Sequence, residues 1–120
     1  ASNVYQKSAH FGADMAVDGD PATRWATDAG LKKAWLEVDY GKPAAFRGVR
    51  IREAAYAGRI RKFEVKCVDV DPAKVLCAGE TVGEKFSRDF EPFTGRKFRF
   101  EVLDAADGPT IEEFEMVRVK

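Results

Sequence analysis

The chain has 120 residues, 45% of them hydrophobic and 33% charged, which is typical of one globular domain with a single core. Its 20 Lys and Arg residues match its 20 Asp and Glu residues, so the formal net charge is zero. Nucleic-acid binding normally requires a surplus of positive charge, and a membrane-spanning helix requires about 20 apolar residues in a row. We therefore expect a single domain over residues 1–120, with no nucleic-acid partner and no membrane span.

The segment AVDGDPATRW, from Ala16 to Trp25, is predicted to be an irregular loop, because its Gly and Pro residues disfavour a helix. Asp18 and Asp20 place two carboxylates close together, and these repel each other unless a positive charge lies between them. Ca²⁺ binds carboxylate, carbonyl and hydroxyl oxygens, which Asp18, Asp20 and Thr23 can supply. The spacing does not follow the EF-hand pattern, and a type I turn capped by Asp18 would account for the same residues.

From residue 34 onward the sequence predicts short β-strands. Apolar and charged residues alternate in AWLEVDY (34–40), GVRIRE (48–53), KFEVKCVDV (62–70) and KFRFEVL (97–103). Such alternation places successive side chains on opposite faces of a sheet. The residues GKP (41–43) are expected to end the first of these strands, and TIEEFEMVRV (110–119) to form the last. The pattern predicts an all-β fold, an antiparallel β-sandwich.

The last strand contains a break in its alternation. Ile111 and Phe114 should both face the core, yet they lie three residues apart, which is an odd spacing. One extra residue at Glu112–Glu113 would restore the alternation, so we predict a β-bulge there. A bulge can direct a backbone carbonyl and a neighbouring carboxylate toward the same point.

The two cysteines, Cys67 and Cys77, flank the turn signal Asp71-Pro72. If this turn closes a hairpin, the cysteines lie opposite each other on one face, where a disulfide is possible in an oxidising compartment. The alternative is a pair of small thiols buried in the core. A zinc site is not expected, because two Cys and one distant His do not supply four ligands.

Several segments together carry a family resemblance: MAVDGDPATRWAT, AWLEVDYGKP, VRIRE and PTIEEFEMV, in this order along the chain. They resemble the discoidin or coagulation factor five/eight C-type domain, which includes the family 32 carbohydrate-binding modules. The segment IREAAYAGRIRKFEV is similar to the discoidin domains appended to family 29 α-L-fucosidases. The resemblance implies a galactose-binding-domain-like jelly-roll sandwich in a secreted, periplasmic or cell-surface protein.

The resemblance also implies a structural Ca²⁺ where the chain enters and leaves the sandwich. Its ligands would be the Met15 carbonyl, the Asp18 carboxylate, Asp20, the carbonyl and hydroxyl of Thr23, the Glu112 carbonyl and the Glu113 carboxylate. These oxygens match the hardness and the coordination number of the ion. The cation would explain why the first acidic loop tolerates two neighbouring carboxylates.

The sugar site of the family transfers less directly. Galactose-binding members commonly place a His directly after the Trp of the first loop, whereas Ala26 follows Trp25 here. A different set of side chains on the same rim is therefore predicted to contact carbohydrate: Arg24, Asp28, Glu53, Tyr56, Arg59 and Arg61. Tyr56 would offer an apolar platform, and Glu53 and Arg59 would bind hydroxyl groups. Alternatively, Arg59 and Arg61 form ion pairs on a solvated face, where they contribute little.

The sequence does not favour an enzyme, because it has one His, no G-x-S-x-G motif and no phosphate-binding loop. The function that we expect is a non-catalytic carbohydrate-binding module that targets a glycoside hydrolase to its glycan. The expected partners are a galactose-, fucose- or related sugar-containing glycan and a catalytic domain in the same longer chain. The alternative is a structural accessory domain that packs on that catalytic domain and binds no sugar by itself.

Overall fold

A computed structural model of the chain describes residue 12 and residues 25–28, 30–53, 59–83 and 85–119. Six of the residues predicted to bind metal or sugar lie outside these ranges: Met15, Asp18, Asp20, Thr23, Arg24 and Tyr56. The described strands are β1 (Trp25–Ala26), β2 (Ala34–Glu53), β3 (Ile60–Cys67), β4 (Lys74–Gly79), β5 (Phe86–Ala105) and β6 (Thr110–Arg118). The described part of the chain contains no helix that is long and apolar enough to cross a membrane.

All six strands are hydrogen-bonded in the order β1-β6-β2-β5-β3-β4, and every neighbouring pair is antiparallel. This confirms the prediction of an all-β antiparallel fold. Val38 and Tyr40, on the predicted core face of β2, are half-buried, but the other alternate residues assigned to the core are buried. Examples are Leu36, Val49, Phe63, Phe98 and Phe100, which are all fully buried.

The two longest strands, β2 and β5, bend sharply along their length. Each has 20 residues, and a straight strand of that length would span roughly 66 Å at about 3.3 Å per residue. The longest dimension of the molecule is 35 Å. The pairing of β2 with β5 shifts between Asp39 and Ala44, and Gly41 in this gap has a φ of 79°, which a glycine adopts without steric cost.

The expectation that residues 41–43 end a strand was therefore wrong. The pairing of β2 with β5 resumes at Ala44 after the shift, so the predicted strands 34–40 and 48–53 are two halves of β2. A bulge with a left-handed glycine changes the direction of a strand without ending it. The glycine and proline of this segment do mark an irregularity in the strand, but the irregularity is a bend within the strand and not its end.

The bend divides the sheet into two layers. Residues 34–40 of β2 and 97–105 of β5 pair with each other in the first layer, to which β3 and β4 are added. Residues 44–53 and 86–95 of the same strands form the second layer, to which β6 and β1 are added. The layers pack through aromatic rings. Phe98 contacts Phe46 edge-on with ring centroids 4.8 Å apart, and Phe63 contacts Phe86 in the same way at 4.9 Å.

The predicted β-bulge lies at Glu112. Arg52 pairs with Glu113 and Glu53 pairs with Ile111, so Glu112 is the extra residue on β6 and has no opposite residue on β2. As a result Ile111 and Phe114 are both buried, as their apolar side chains require. The prediction of a bulge from the odd spacing of these two residues is confirmed.

The two cysteines are free thiols, and both are buried. In the β3–β4 hairpin Cys77 lies opposite Val65, and Cys67 lies opposite Lys74. The expectation that the cysteines face each other was therefore wrong, and the alternative of two buried thiols describes the structure. Burial raises the pKa of each thiol to about 11.

The turn between β3 and β4 is fastened to β5 by Asp69. Its Oδ1 accepts hydrogen bonds from the Cys67 thiol at 2.8 Å and from the backbone amides of Lys97 at 3.0 Å and Arg96 at 3.2 Å. The Cys67 thiol and these amides lower the pKa of Asp69 from 3.8 to about 2. Asp69 thus holds the hairpin turn against the corner where β5 changes layers.

Replacing Asp69 with Ala should lower the free energy of unfolding by about 1–2 kcal/mol, since hydrogen bonds to a charged group are lost from a site that water already screens. Because the folded pKa is below the unfolded one, this contribution is complete above about pH 4 and is lost as the pH falls through 2. Urea unfolding at pH 7 and pH 3 measures both effects. Asp71→Asn, at an exposed carboxylate of the same turn, is the control. Equal stability of Asp69→Ala and the wild type at pH 7 would show that these bonds contribute nothing.

Candidate functional site

Three connecting segments meet at one end of the sandwich, and we call this end the rim. They are residues 27–31 after β1, Arg59 before β3, and residues 106–109 between β5 and β6. The amide and the hydroxyl of Thr27 both donate to the Pro109 carbonyl, at 3.1 Å and 2.8 Å. The Ala106 amide donates to the Arg59 carbonyl at 2.6 Å. The segment 106–109 is thus bonded to both of the others.

The close contact between two of these segments requires a glycine at position 108. A Cβ atom there would collide with the Asp28 carbonyl oxygen and would lie 2.9 Å from the Thr27 hydroxyl oxygen. The Gly108 carbonyl in turn accepts a hydrogen bond from Nη1 of Arg59 at 3.0 Å. The missing side chain therefore lets segment 27–31 lie directly on segment 106–109, within reach of Arg59.

Asp107 adds a further connection across the rim. Its Oδ1 accepts hydrogen bonds from the amides of Gly30 and Gly108, both at 2.7 Å. These two amides, with a smaller contribution from the charge of Arg59, lower the pKa of the Asp107 carboxyl. The carboxylate is therefore ionised at neutral pH and holds Gly30 beside the 106–109 turn.

Glu53 lies at the end of β2 and is only 2% exposed. Its carboxylate accepts hydrogen bonds from the backbone amides of Gly83 at 3.0 Å and Arg59 at 3.2 Å. Its own amide donates to the Gly83 carbonyl at 3.0 Å. Glu53 thus connects the rim to the segment that precedes β5.

The structure brings together three of the residues predicted to contact sugar, namely Asp28, Glu53 and Arg59. Arg61 is exposed and lines an open groove of about 470 Å³ along β3 and β4, with Lys62, Glu64, Glu80 and Asp104 among its other lining residues. Arg24 and Tyr56 lie outside the described residues.

Sequence reasoning missed Thr27, Asp107 and Gly108 as parts of the rim. The triplet Asp107-Gly108-Pro109 is a recognisable turn signal. It does not reveal, however, which loop the turn contacts. The contact joins segments about 80 residues apart in the chain, so only the packing of the two layers determines it.

The predicted calcium site can be described only at its β6 end. The Glu112 carboxylate lies 3.6 Å from the guanidinium of Arg52, and the bulge places the Glu112 backbone outside the β2 ladder. Among the described residues alone, no group of three or more acidic, His or Cys side chains could hold a metal. The remaining predicted ligands, Met15, Asp18, Asp20 and Thr23, lie outside them.

The sequence profile of the F5/8 type C domain matches residues 1–115. The chain belongs to the F5/8 type C domain family. No curated protein sequence matches it. Its fold is similar to part of a GH29 fucosidase from Ruminococcus gnavus, solved in complex with fucose, at 27% identity and a TM-score of 0.86. The match covers 99% of this chain and 24% of the fucosidase chain, so this chain spans about a quarter of that enzyme's length.

Two further structures share this fold. Chitosan-binding module 2 of a chitosanase/glucanase from Paenibacillus sp. IK-5, in complex with chitotriose, is 21% identical with a TM-score of 0.82, over 92% of this chain and 89% of the module. CBM32 domains of Clostridium perfringens ZmpB, in complex with GalNAc, are 15% identical with a TM-score of 0.77, over 98% of this chain and 31% of theirs. At these identities the two likenesses show a shared fold.

Replacing Gly108 with Ala should destabilise the domain by about 1–3 kcal/mol, because the added methyl group meets the backbone of Asp28, which cannot move aside like a side chain. Chemical unfolding measures this loss. The control is Ala106→Ser, at an exposed side chain in the same turn. If Gly108→Ala and the control unfold at the same denaturant concentration, the contact between segments 27–31 and 106–109 is looser than described.

Proposed function

We propose that this F5/8 type C domain is a non-catalytic carbohydrate-binding module of a secreted glycoside hydrolase of the α-L-fucosidase type. The observation that carries the proposal is the rim, where loops from distant parts of the chain are bonded to one another around Arg59. Loops fixed on a rigid sandwich are a common location for ligand contacts. The similarity to a fucosidase and to isolated modules solved with sugars supports the same function.

The hydrogen bonds across the rim should increase its affinity for a sugar. Sugars bind to such surfaces through a few hydrogen bonds and one stacked ring, and each of these contacts contributes only a small part of the free energy of binding. A rim that is already ordered loses little conformational entropy on binding. Reversible attachment to a glycan would then raise the concentration of substrate near a catalytic domain in the same chain.

The proposed sugar contacts are those that the sequence predicts, with different support for each. Asp28 and Arg59 lie on the rim, and the Arg59 guanidinium is held by the Gly108 carbonyl. Tyr56 is proposed as the stacking platform because its ring is the aromatic residue in the loop between β2 and β3. Arg24 and Arg61 complete the proposed set of direct contacts, whereas Glu53 is buried and accepts a hydrogen bond from the Arg59 amide.

A calcium ion is proposed as the structural cofactor, with Met15, Asp18, Asp20, Thr23, Glu112 and Glu113 as its ligands. The bulge supports this proposal, because Glu112 has no opposite residue on β2 and lies directly beside Glu113. When bound, the ion would supply positive charge that joins the first loop to the last strand. A location outside the cytoplasm is part of the same proposal, since it follows from the resemblance to appended modules of secreted enzymes.

A glycan array of the 120-residue domain in calcium should give a reproducible signal on fucosylated or galactosylated structures. Tyr56→Ala and Arg59→Ala should each weaken that binding about tenfold or more, because they remove the stacking surface and the charged hydrogen-bond donor. Arg50→Ala, at an exposed arginine on the second layer, should leave it unchanged. Melting temperatures of all variants establish that they are folded.

If the folded wild-type protein binds no glycan on the array, the proposal is contradicted. The alternative function, a structural accessory domain, would then be favoured. We would expect the domain to bind its own catalytic domain instead of a glycan. Binding that survives both substitutions would keep the function but move the site away from the rim.

Removal of calcium with EDTA should lower the melting temperature by roughly 10 °C, since a ligand present at 100 times its Kd stabilises the folded state by about 2.7 kcal/mol. Asp18→Ala and Glu113→Gln should remove the same increment and make the protein insensitive to EDTA. Glu115→Gln, at an exposed position of β6, is the matched control. An unchanged melting curve in EDTA, with no calcium found by elemental analysis, would refute the site.

A further inference from the structure

The burial of Glu53 is unusual for a residue assigned to ligand contact. It is one of only two polar or charged residues among the described ones that are buried, the other being Thr27. A carboxylate taken out of water is costly unless it is hydrogen-bonded, and charge-assisted bonds from backbone amides compensate well. Glu53 has two such bonds, one from each of two loops, to the amides of Arg59 and Gly83.

The two amides depend on Glu53 in return. Arg59 precedes the first residue of β3 and Gly83 lies in the turn before β5, so neither belongs to a strand. Gly83 has a φ of 69°, the left-handed conformation in which a turn changes direction. Each carboxylate oxygen of Glu53 thus accepts from a backbone amide, Oε2 from Arg59 and Oε1 from Gly83.

The effect of Glu53 extends across the rim through Arg59. The amide of Arg59 is bound by Glu53, its carbonyl accepts from Ala106, and its guanidinium donates to Gly108. A shift of the Arg59 backbone would therefore displace the 106–109 turn as well. One buried carboxylate thus controls the positions of three segments.

We infer that Glu53 is a positioning residue of the rim, which holds Arg59 and the Gly83 turn in place and contacts no sugar itself. The inference rests on the proposed glycan-binding function for its consequence. The clamp, by which we mean the hydrogen bonds from the Arg59 and Gly83 amides to Glu53, can be measured without any ligand. It revises the role of Glu53 in the sequence-based set, from direct contact to support.

The test combines amide hydrogen exchange by NMR with titration of a fixed panel of L-fucose, D-galactose and chitotriose. It compares the wild type with Glu53→Gln and with the control Glu80→Gln, an exposed glutamate near the same turn. Gln keeps one acceptor oxygen but presents an NH₂ group to the other amide, which then has no acceptor. Exchange should accelerate at least tenfold at one or both of the Arg59 and Gly83 amides in Glu53→Gln, while core amides such as that of Phe100 remain protected. The Kd for any panel sugar that binds should rise at least fivefold.

Each outcome decides between the two roles. Lost sugar binding with both amides still protected would overturn the inference and make Glu53 a direct contact. Unchanged sugar binding with faster exchange would also overturn it, because the clamp would then not shape the site. If no panel sugar binds the wild type, the proposed function fails on this panel, and the exchange rates alone support or overturn the clamp. If Glu53→Gln does not fold, wild-type exchange decides, and fast exchange at both amides overturns the inference.

Discussion

The fold depends on the packing of aromatic rings between two layers that share their longest strands. β2 and β5 each bend and contribute one half to either layer, so the contact of Phe46 with Phe98 at 4.8 Å joins two parts of the same strand pair. Phe100 and Phe114 extend this contact at 5.9 Å. Because the halves are covalently continuous, the layers cannot slide past one another without disrupting the aromatic core. The strand ends, and hence the loops at the rim, are placed by this constraint.

The segments of the rim are held together by hydrogen bonds to backbone groups. Side chains of Thr27, Glu53, Arg59 and Asp107 all bond to main-chain amides or carbonyls of other segments, which fixes the path of the chain itself. The charged residues on the outer face of the first layer behave differently. There Arg99 lies 2.6 Å from Glu37 and 4.3 Å above the ring of Trp35, so charged groups pair with each other along the sheet. The proposed binding function is therefore better supported at the rim than on this face.

Sequence reasoning succeeded where a local rule applies. Alternation with a period of two identified most of β2, β3 and β6 and residues 97–103 of β5, and the odd spacing of Ile111 and Phe114 located the bulge. It failed where the outcome depends on the register between strands. The register of the β3–β4 hairpin places Cys77 opposite Val65 instead of Cys67. The residues 41–43 carry the composition of a strand end, but the pairing of Ala44 with Gly95 continues the same strand after a bend.

The sequence by itself determined the family, the all-β class and the buried face of most strands, because these follow from periodicity and from motifs that are read locally. It placed Asp28 and Arg59 on one rim only through the family resemblance. The tertiary structure alone decided what the rim residues do. Gly108 must lack a side chain because the Asp28 backbone lies against it, and Glu53 is buried because two loops donate their amides to it. The contacts of Gly108 with Asp28 and of Glu53 with Gly83 join segments far apart in the chain. Such contacts exist only after the layers have packed, which is why no local pattern encodes them.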